Sequence, residues 1–391
     1  MPTEDTFLLA GLFILAAAAG WAIKVYTDRD RDLPRISADY IRGLNLVLNR
    51  RTDEALELFV QMAKVDDETL ETHFALGHLF RRRGEIERAI RVHENLLARP
   101  NLSESQRDQA MFALAEGYLG AGLYDRAEQL FLDLRDSPSV GETALEKLVY
   151  IYEREREWEK AIEAQRSLEV LRGDKSSQVA HYFCELAEAA RADGDLELAQ
   201  SRLKTTVRSE TGALRGSLIR AGIAMDLGDH EKALGLYEQV LEADRRFMAE
   251  VLPLLLECYE KSRGLLEFDR YIEALLGRDP SLVKEVAYAA IIGDLTRTQA
   301  LARAVESFVL DNEVLADLVN VGELKALPEG ERDEAIARVA RGLRQVALSS
   351  ARYRCTNCGY STQRFIWHCP SCKLWETVRP LHSFQLESLV S

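Results

Sequence analysis

The sequence predicts an all-α solenoid of stacked helix pairs, with an N-terminal transmembrane helix and a small C-terminal metal knuckle domain. Three features predict it: an uncharged apolar run near the N-terminus, small residues recurring every 34 or 38 positions, and two CxxC pairs near the C-terminus. Composition agrees. Only 23 Gly and 9 Pro among 391 residues, with 47% hydrophobic and 29% charged, exclude disordered and collagen-like chains and favour helix. A net charge of −14 lacks the basic footprint of a general nucleic-acid binder, so no nucleic-acid partner is expected. Six cysteines are too few for a disulfide scaffold of this length.

Thr6 to Ile23 is free of charge for 18 residues and is closed by Lys24. At about 1.5 Å per residue the run spans about 27 Å, enough for a bilayer core. Trp21 and Tyr26 fall where an aromatic belt would lie. Ala16–Ala19 also offers the small residues of a signal-peptide cleavage site, but the charges preceding the run are Glu4 and Asp5, not a basic n-region. Lys24, Arg29, Arg31 and Arg35 follow the run, so the positive-inside rule leaves the N-terminus outside, which is periplasmic if the membrane is a bacterial inner membrane, and the bulk of the chain cytoplasmic. The expected anchor is residues 1–27, spanning the membrane once through Phe7–Ile23. Ala16/Gly20 and Ala18/Ala22 could seat a partner helix, although alanine-rich spans carry such pairs by chance.

The middle of the chain repeats itself. Ala55, Ala89, Ala127, Ala161, Ala199 and Ala233 are spaced 34, 38, 34, 38 and 34 residues apart. Twelve residues before each stands Gly43, Gly77, Ala115, Val149, Ala187 or Ala221, mostly small. Four residues after each stands Phe59, His93, Phe131, Gln165, Leu203 or Tyr237, mostly bulky. Gly84, Gly122, Gly194 and Gly228 supply a turn five residues before four of the alanines. Small residues let two helices approach, glycine turns the chain, and the bulky residue fills the gap to the next pair. The pattern resembles the tetratricopeptide (TPR) repeat, a pair of antiparallel helices in 34 residues that stacks into a superhelix with a concave binding surface.

Arg99-Pro100 and Ser137-Pro138 stop helices between units. Beyond Phe247 the signature decays. Leu254–Tyr259, Phe268–Leu276, Val283–Ile292 and Ala300–Leu310 still read as amphipathic helices, giving one or two degenerate repeats and a cap that ends in a helix over Glu331–Leu348. The expected array is 36–348. Arg81-Arg82-Arg83 reads as a solvated helix end, or as a contact for an acidic segment. Cys184 and Cys258 read as buried packing residues, and the i, i+3 pair His181/Cys184 is weak evidence for catalysis.

Cys355, Cys358, Cys369 and Cys372 form CxxC-x10-CxxC. Each CxxC makes a tight knuckle with two thiolates on one side, and two knuckles complete a tetrahedral S4 site for one iron or zinc ion. Gly359 fits a left-handed position in the first knuckle, and Pro370 stiffens the second. His368 is expected outside the ligand set, since four sulfurs close the site. The segment 352–378 resembles a minimal rubredoxin-type knuckle pair, with a shorter loop between the pairs than full rubredoxin. So short a segment cannot bury a self-sufficient core, so Tyr353, Tyr360, Phe365, Trp367 and Trp375 are expected to pack around the site and against the last helices.

No HExxH, GxSxG, P-loop or strand-linked GxGxxG occurs, and no enzyme is read here. The order of anchor, TPR repeats and knuckles resembles the lipopolysaccharide assembly protein B family (LapB, also called YciM). Leu79–Arg91 and Arg352–Trp375 carry the likeness most specifically. The resemblance implies a cell inner-membrane adaptor that restrains lipopolysaccharide (lipid A) synthesis. It implies as partners the FtsH protease, the LpxC deacetylase whose degradation it promotes, an inner-membrane antagonist that senses lipopolysaccharide, and other lipopolysaccharide assembly proteins. It places the family's metal ligands on Cys355, Cys358, Cys369 and Cys372. Two readings from other classes stand beside it: a general TPR scaffold or chaperone without a protease link, and a rubredoxin-like electron carrier.

Overall fold

The computed structural model describes residues 38–49, 51–65, 70–204, 213–381 and 383–384. The run Phe7–Ile23 lies outside them, and among the described residues no helix is long and apolar enough to cross a membrane. The helices come in pairs: α1 (Ala38–Leu48) and α2 (Thr52–Val65), α3 (Leu70–Arg82) and α4 (Ile86–Leu97), α5 (Glu104–Gly120) and α6 (Tyr124–Leu134), α7 (Gly141–Glu155) and α8 (Trp158–Arg172). The series continues with α9 (Gln178–Ala192) and α10 (Leu196–Leu203), α11 (Ala213–Asp226) and α12 (His230–Ala243), α13 (Met248–Ser262) and α14 (Leu265–Arg278), α15 (Val283–Gly293) and α16 (Gln299–Asp311). Two short helices, α17 (Glu313–Leu318) and α18 (Val321–Ala326), lead into the long α19 (Glu329–Ser349). A three-stranded antiparallel sheet follows, in the order β2 (Ser361–Thr362), β1 (Tyr353–Cys355), β3 (Val378–Pro380).

The six repeat alanines from Ala55 to Ala233 are all buried, at 1% exposure or less. Their close approach is steric. A Cβ on Gly77 would stand 2.3 Å from His93 Nε2, so the buried imidazole takes the space that a side chain would need. The turn glycines Gly84, Gly122, Gly194 and Gly228 adopt φ between +75° and +83°. Arg156 occupies the same turn position in its unit and is held at φ +58°, a conformation that costs a residue with a Cβ. The proline stops act where expected, since α4 ends at Leu97 and α6 at Leu134. After Arg99-Pro100 a capping box restarts the helix. The Gln106 N–H donates to Ser103 Oγ at 3.3 Å, and the Ser103 N–H donates to Gln106 Oε1 at 2.9 Å.

Past Phe247 the pairing stays regular although the sequence signature does not. Gly264 at φ +90° turns α13 into α14, and Asp294 at φ +56° follows α15. Two full pairs and the cap helix α19 therefore stand where the sequence showed decaying repeats. Apolar side chains on α12–α16 and α19 make one continuous core there, including Leu252, Leu255, Val286, Leu301 and Leu343.

The chain divides into two compact units, residues 1–151 and 152–391, with the boundary inside α7. In the first unit, Tyr40, Phe74 and Phe112 occupy the same repeat position and line a groove of about 550 Å³, with Leu44, Ala75 and Ala113. Arg81 leaves the solvated helix end expected for it. Its guanidinium donates to Glu116 at 2.5 Å, and Lys147 reaches the same carboxylate at 3.2 Å, while Arg82 and Arg83 stay exposed.

Candidate metal centre

The two knuckles are built alike. In the first, the Cys355 N–H donates to the Tyr360 carbonyl at 2.8 Å and the Gly359 N–H to the Cys355 carbonyl at 3.0 Å. In the second, Cys369 donates to Leu374 at 3.0 Å and Lys373 to Cys369 at 2.9 Å. The residue after each second cysteine is left-handed: Gly359 at φ +76° and Lys373 at φ +60°. Glycine fits that position, whereas lysine pays strain to hold it.

All four Sγ atoms lie within 4.8 Å of one another. Cys355–Cys372 and Cys358–Cys369 are each 3.7 Å apart. That is too long for a disulfide, whose sulfurs are about 2.05 Å apart. It matches the edge of a tetrahedron with metal–sulfur bonds of about 2.3 Å, which is about 3.8 Å. The donor set therefore fits a single zinc or iron ion.

Ionisation supports the same fit. Burial opposes the Cys355 thiolate, but the Thr377 hydroxyl and the N–H groups of Cys358 and Asn357 outweigh it and bring the thiol down to about 6. For Cys369, burial and the neighbouring thiols of Cys372 and Cys355 push it up to about 11, over the pull of two backbone N–H groups. Sulfurs this close ionise together only around a cation. His368 stays outside the set. Its Nε2 lies 3.0 Å from the Lys373 carbonyl and its ring stacks on Trp375 at 4.6 Å.

The ribbon is seated on the second unit, chiefly on helices earlier than its last ones, although Phe365 and Trp367 also pack against the core that the last helices share. Its aromatics reach the first helices of earlier pairs. The Trp375 Nε1–H donates to Glu153 on α7 at 2.8 Å, and the Tyr182 hydroxyl of α9 donates to the same oxygen at 2.8 Å. The Trp375 indole lies flat on His181 of α9 and edge-on to Trp158 and Tyr182. Trp367 stacks on Phe247, and Phe365 meets Phe247 edge-on. Tyr353 and Arg352 donate to Glu250 on α13 at 2.5 and 3.0 Å. Four of the five aromatics expected to pack do so. Tyr360 instead stands 38% exposed at the tip of the first knuckle.

Arg215 of α11 was not singled out by its sequence context, yet it is 2% exposed beneath the ribbon. It donates to Glu185 at 2.7 Å and Glu188 at 2.6 Å, with its guanidinium 5.6 Å from the Trp367 ring and 5.8 Å from the Trp375 ring. Burial works against the charge, and the two carboxylates outweigh it and hold the guanidinium ionised. The two acids Glu185 and Glu188, one turn apart on one face of α9, were the available signal that a cation sits there. His181 and Cys184 are both fully buried. His181 faces the ribbon indoles, and Cys184 belongs to the packing around Ala187 and Ala199.

Comparison with known proteins agrees with this architecture. Residues 353–380 match the family model described as rubredoxin metal binding domain, and residues 74–141 and 184–246 match the tetratricopeptide repeat. Among solved structures, the Naa15/Naa10 assembly bound to HypK-THB shares the fold at a TM-score of 0.51 and 17% identity, over 84% of this chain and 52% of that one. Lipopolysaccharide assembly protein B of Haemophilus influenzae is 29% identical, over 96% of this chain and 98% of its own. The protein of that name from Escherichia coli K12 is 32% identical, over 96% of this chain and 98% of its own. The chain belongs to the lipopolysaccharide assembly protein B family.

Proposed function

We propose that this protein is a non-enzymatic, membrane-anchored adaptor of lipopolysaccharide synthesis that brings the LpxC deacetylase to the FtsH protease. The observation that carries the reading is the seating of the four-cysteine ribbon on α7, α9, α11 and α13. A metal ion holds the knuckles, the knuckles hold Trp367 and Trp375, and the indoles fix one face of the repeat array. A scaffold needs such a fixed surface to present a partner. The groove lined by Tyr40, Phe74 and Phe112 supplies apolar surface for a partner segment. Thiolate ligation by Cys355, Cys358, Cys369 and Cys372 supplies folding energy in this reading, and electron transfer is not required of it. Phe7–Ile23 tethers the scaffold beside membrane-bound partners and raises their effective concentration.

Crosslinking in the native membrane, followed by identification of the partners, tests this. Recovery of both FtsH and LpxC, with a longer LpxC half-life when residues 1–27 are deleted, is the expected result. Recovery of envelope-synthesis enzymes without the protease would replace the reading with a general assembly platform.

A further inference from the structure

The charge of this chain is unevenly placed. Residues 338–381 hold eight Lys and Arg against one Glu, a net of +7, while the whole chain carries −14. Four thiolates around a divalent ion subtract two from that figure and leave the segment basic. Elsewhere in the second unit several cations are neutralised by a neighbouring acid, as in Arg191–Asp226, Arg245–Asp279 and Arg303–Glu273. On the ribbon, Arg354, Arg364 and Lys373 are exposed and have no acidic partner among the described residues.

Two large apolar side chains are exposed on the same ribbon. Tyr360 and Leu374 occupy equivalent positions, two residues past the second cysteine of each knuckle, and are 38% and 41% exposed. Their carbonyls close the two knuckles while their side chains stay in solvent. Lys373 adjoins Leu374. Arg354 faces away from the metal, since its neighbours Tyr353 and Cys355 are buried. Exposed aromatic and aliphatic tips on an element that also carries free cations are what a polar–apolar interface of a bilayer binds.

We infer that the knuckle tips form a contact surface for the anionic phospholipid headgroups of the bilayer in which the chain is anchored. The inference rests on the anchored reading above. A tethered chain meets the bilayer at high local concentration, so a few weak contacts suffice. An anionic surface repels the acidic remainder of the chain and attracts the ribbon, which fixes the ribbon as the part that faces the membrane. An acidic protein segment would satisfy the cations but leave Tyr360 and Leu374 in water.

The test places the full-length protein in nanodiscs of phosphatidylcholine, with or without phosphatidylglycerol, and follows amide hydrogen exchange in 356–364 and 371–376. Slower exchange in the anionic discs alone, lost in the triple variant Arg354→Glu, Arg364→Glu, Lys373→Glu at unchanged metal content, is the expected result. Equal exchange in both discs, or protection that survives the triple variant, overturns the inference. Should the full chain not enter discs, the anchor has failed and not the surface. Flotation of the chain lacking residues 1–37 with phosphatidylglycerol vesicles then decides. Binding that falls about a hundredfold in the triple variant supports the surface, at about fivefold for each cation. Absence of binding overturns it, and so does charge-dependent capture of a polyglutamate peptide that vesicles do not displace.

Discussion

The indole of Trp375 lies flat against the imidazole of His181, 5.1 Å between ring centres and 14° from parallel, although 194 residues separate them in the chain. Trp375 stands three residues past a metal-site cysteine, and His181 is fully buried on α9. One stacked pair thus joins the metal site to the repeat array. Glu153 completes the link by accepting from both the Trp375 Nε1–H and the Tyr182 hydroxyl.

Truncating that contact should detach the ribbon without emptying the metal site. Trp375→Phe keeps a ring against His181 and loses the bond to Glu153, which still holds Tyr182. The expected cost is about 1 kcal/mol. Trp375→Ala removes the ring from a tight seat, at about 3–5 kcal/mol. Hydrogen exchange across 353–380, read beside metal content, checks both. Metal loss in Trp375→Ala would show that docking and ligation are a single event.

How much of this was legible in the sequence depends on the range of the interaction. The helix pairs could be read because small, bulky and turn residues recur at fixed distances along the chain, and the knuckles because their ligands are close neighbours. The seat of the ribbon could not. Nothing near Glu153 marks it as the acceptor for an indole 222 residues later, and nothing near Arg215 marks it as buried beneath that ring. The pairs after Phe247 read only as degenerate because Asp294 makes the left-handed turn and Leu256, twelve residues before Phe268, packs where a small residue is usual. The aromatic cluster was foreseen from the small size of the ribbon, but its seat on α7, α9, α11 and α13 was not.

The left-handed turn at Arg156 offers a gain in stability. Arg156→Gly should stabilise the second unit by about 1 kcal/mol and so raise its denaturation midpoint. The strain of a Cβ at φ +58° is about 1–2 kcal/mol, and the greater freedom of glycine in the unfolded chain offsets part of it. Urea titration of the two proteins checks the sign. A lower midpoint would mean that the arginine makes a contact worth more than its strain.

The first unit should weaken in mild acid through His93. Burial, then the nearby His78 and Arg81, holds its imidazole down at about 4 against 6.5 in the unfolded chain. A folded-state pKa below the unfolded value gives stability that is present above pH 6.5 and lost as the pH falls toward 4, because only the unfolded chain takes up the proton. The loss should reach about 3 kcal/mol. His93→Gln should flatten this limb, and glutamine already fills the same repeat position as the buried Gln165. Thermal melts from pH 7 to pH 4 decide. An unchanged slope in the variant would assign the acid sensitivity elsewhere.

Two substitutions at the metal site separate ligand from neighbour. Cys358 is a donor at a corner of the tetrahedron, 3.7 Å from Cys369 Sγ, and serine offers a poorer donor to a soft site. Cys358→Ser should therefore lose the metal. The segment is too short to fold on its own, so Trp367 and Trp375 should leave their seats and 353–380 should become open to protease. The helix pairs keep their own cores in both units, so helical content should hardly change. His368→Ala is the control. Its ring stacks on Trp375 and its Nε2 meets the Lys373 carbonyl, but no sulfur depends on it. It should keep a full complement of metal and lose only part of the ribbon's protection. Metal content measured beside limited proteolysis reads both variants. A Cys358→Ser protein that stays metal-free and protected would show that the aromatic seat holds the ribbon unaided, and the metal would then have no part in shaping the scaffold.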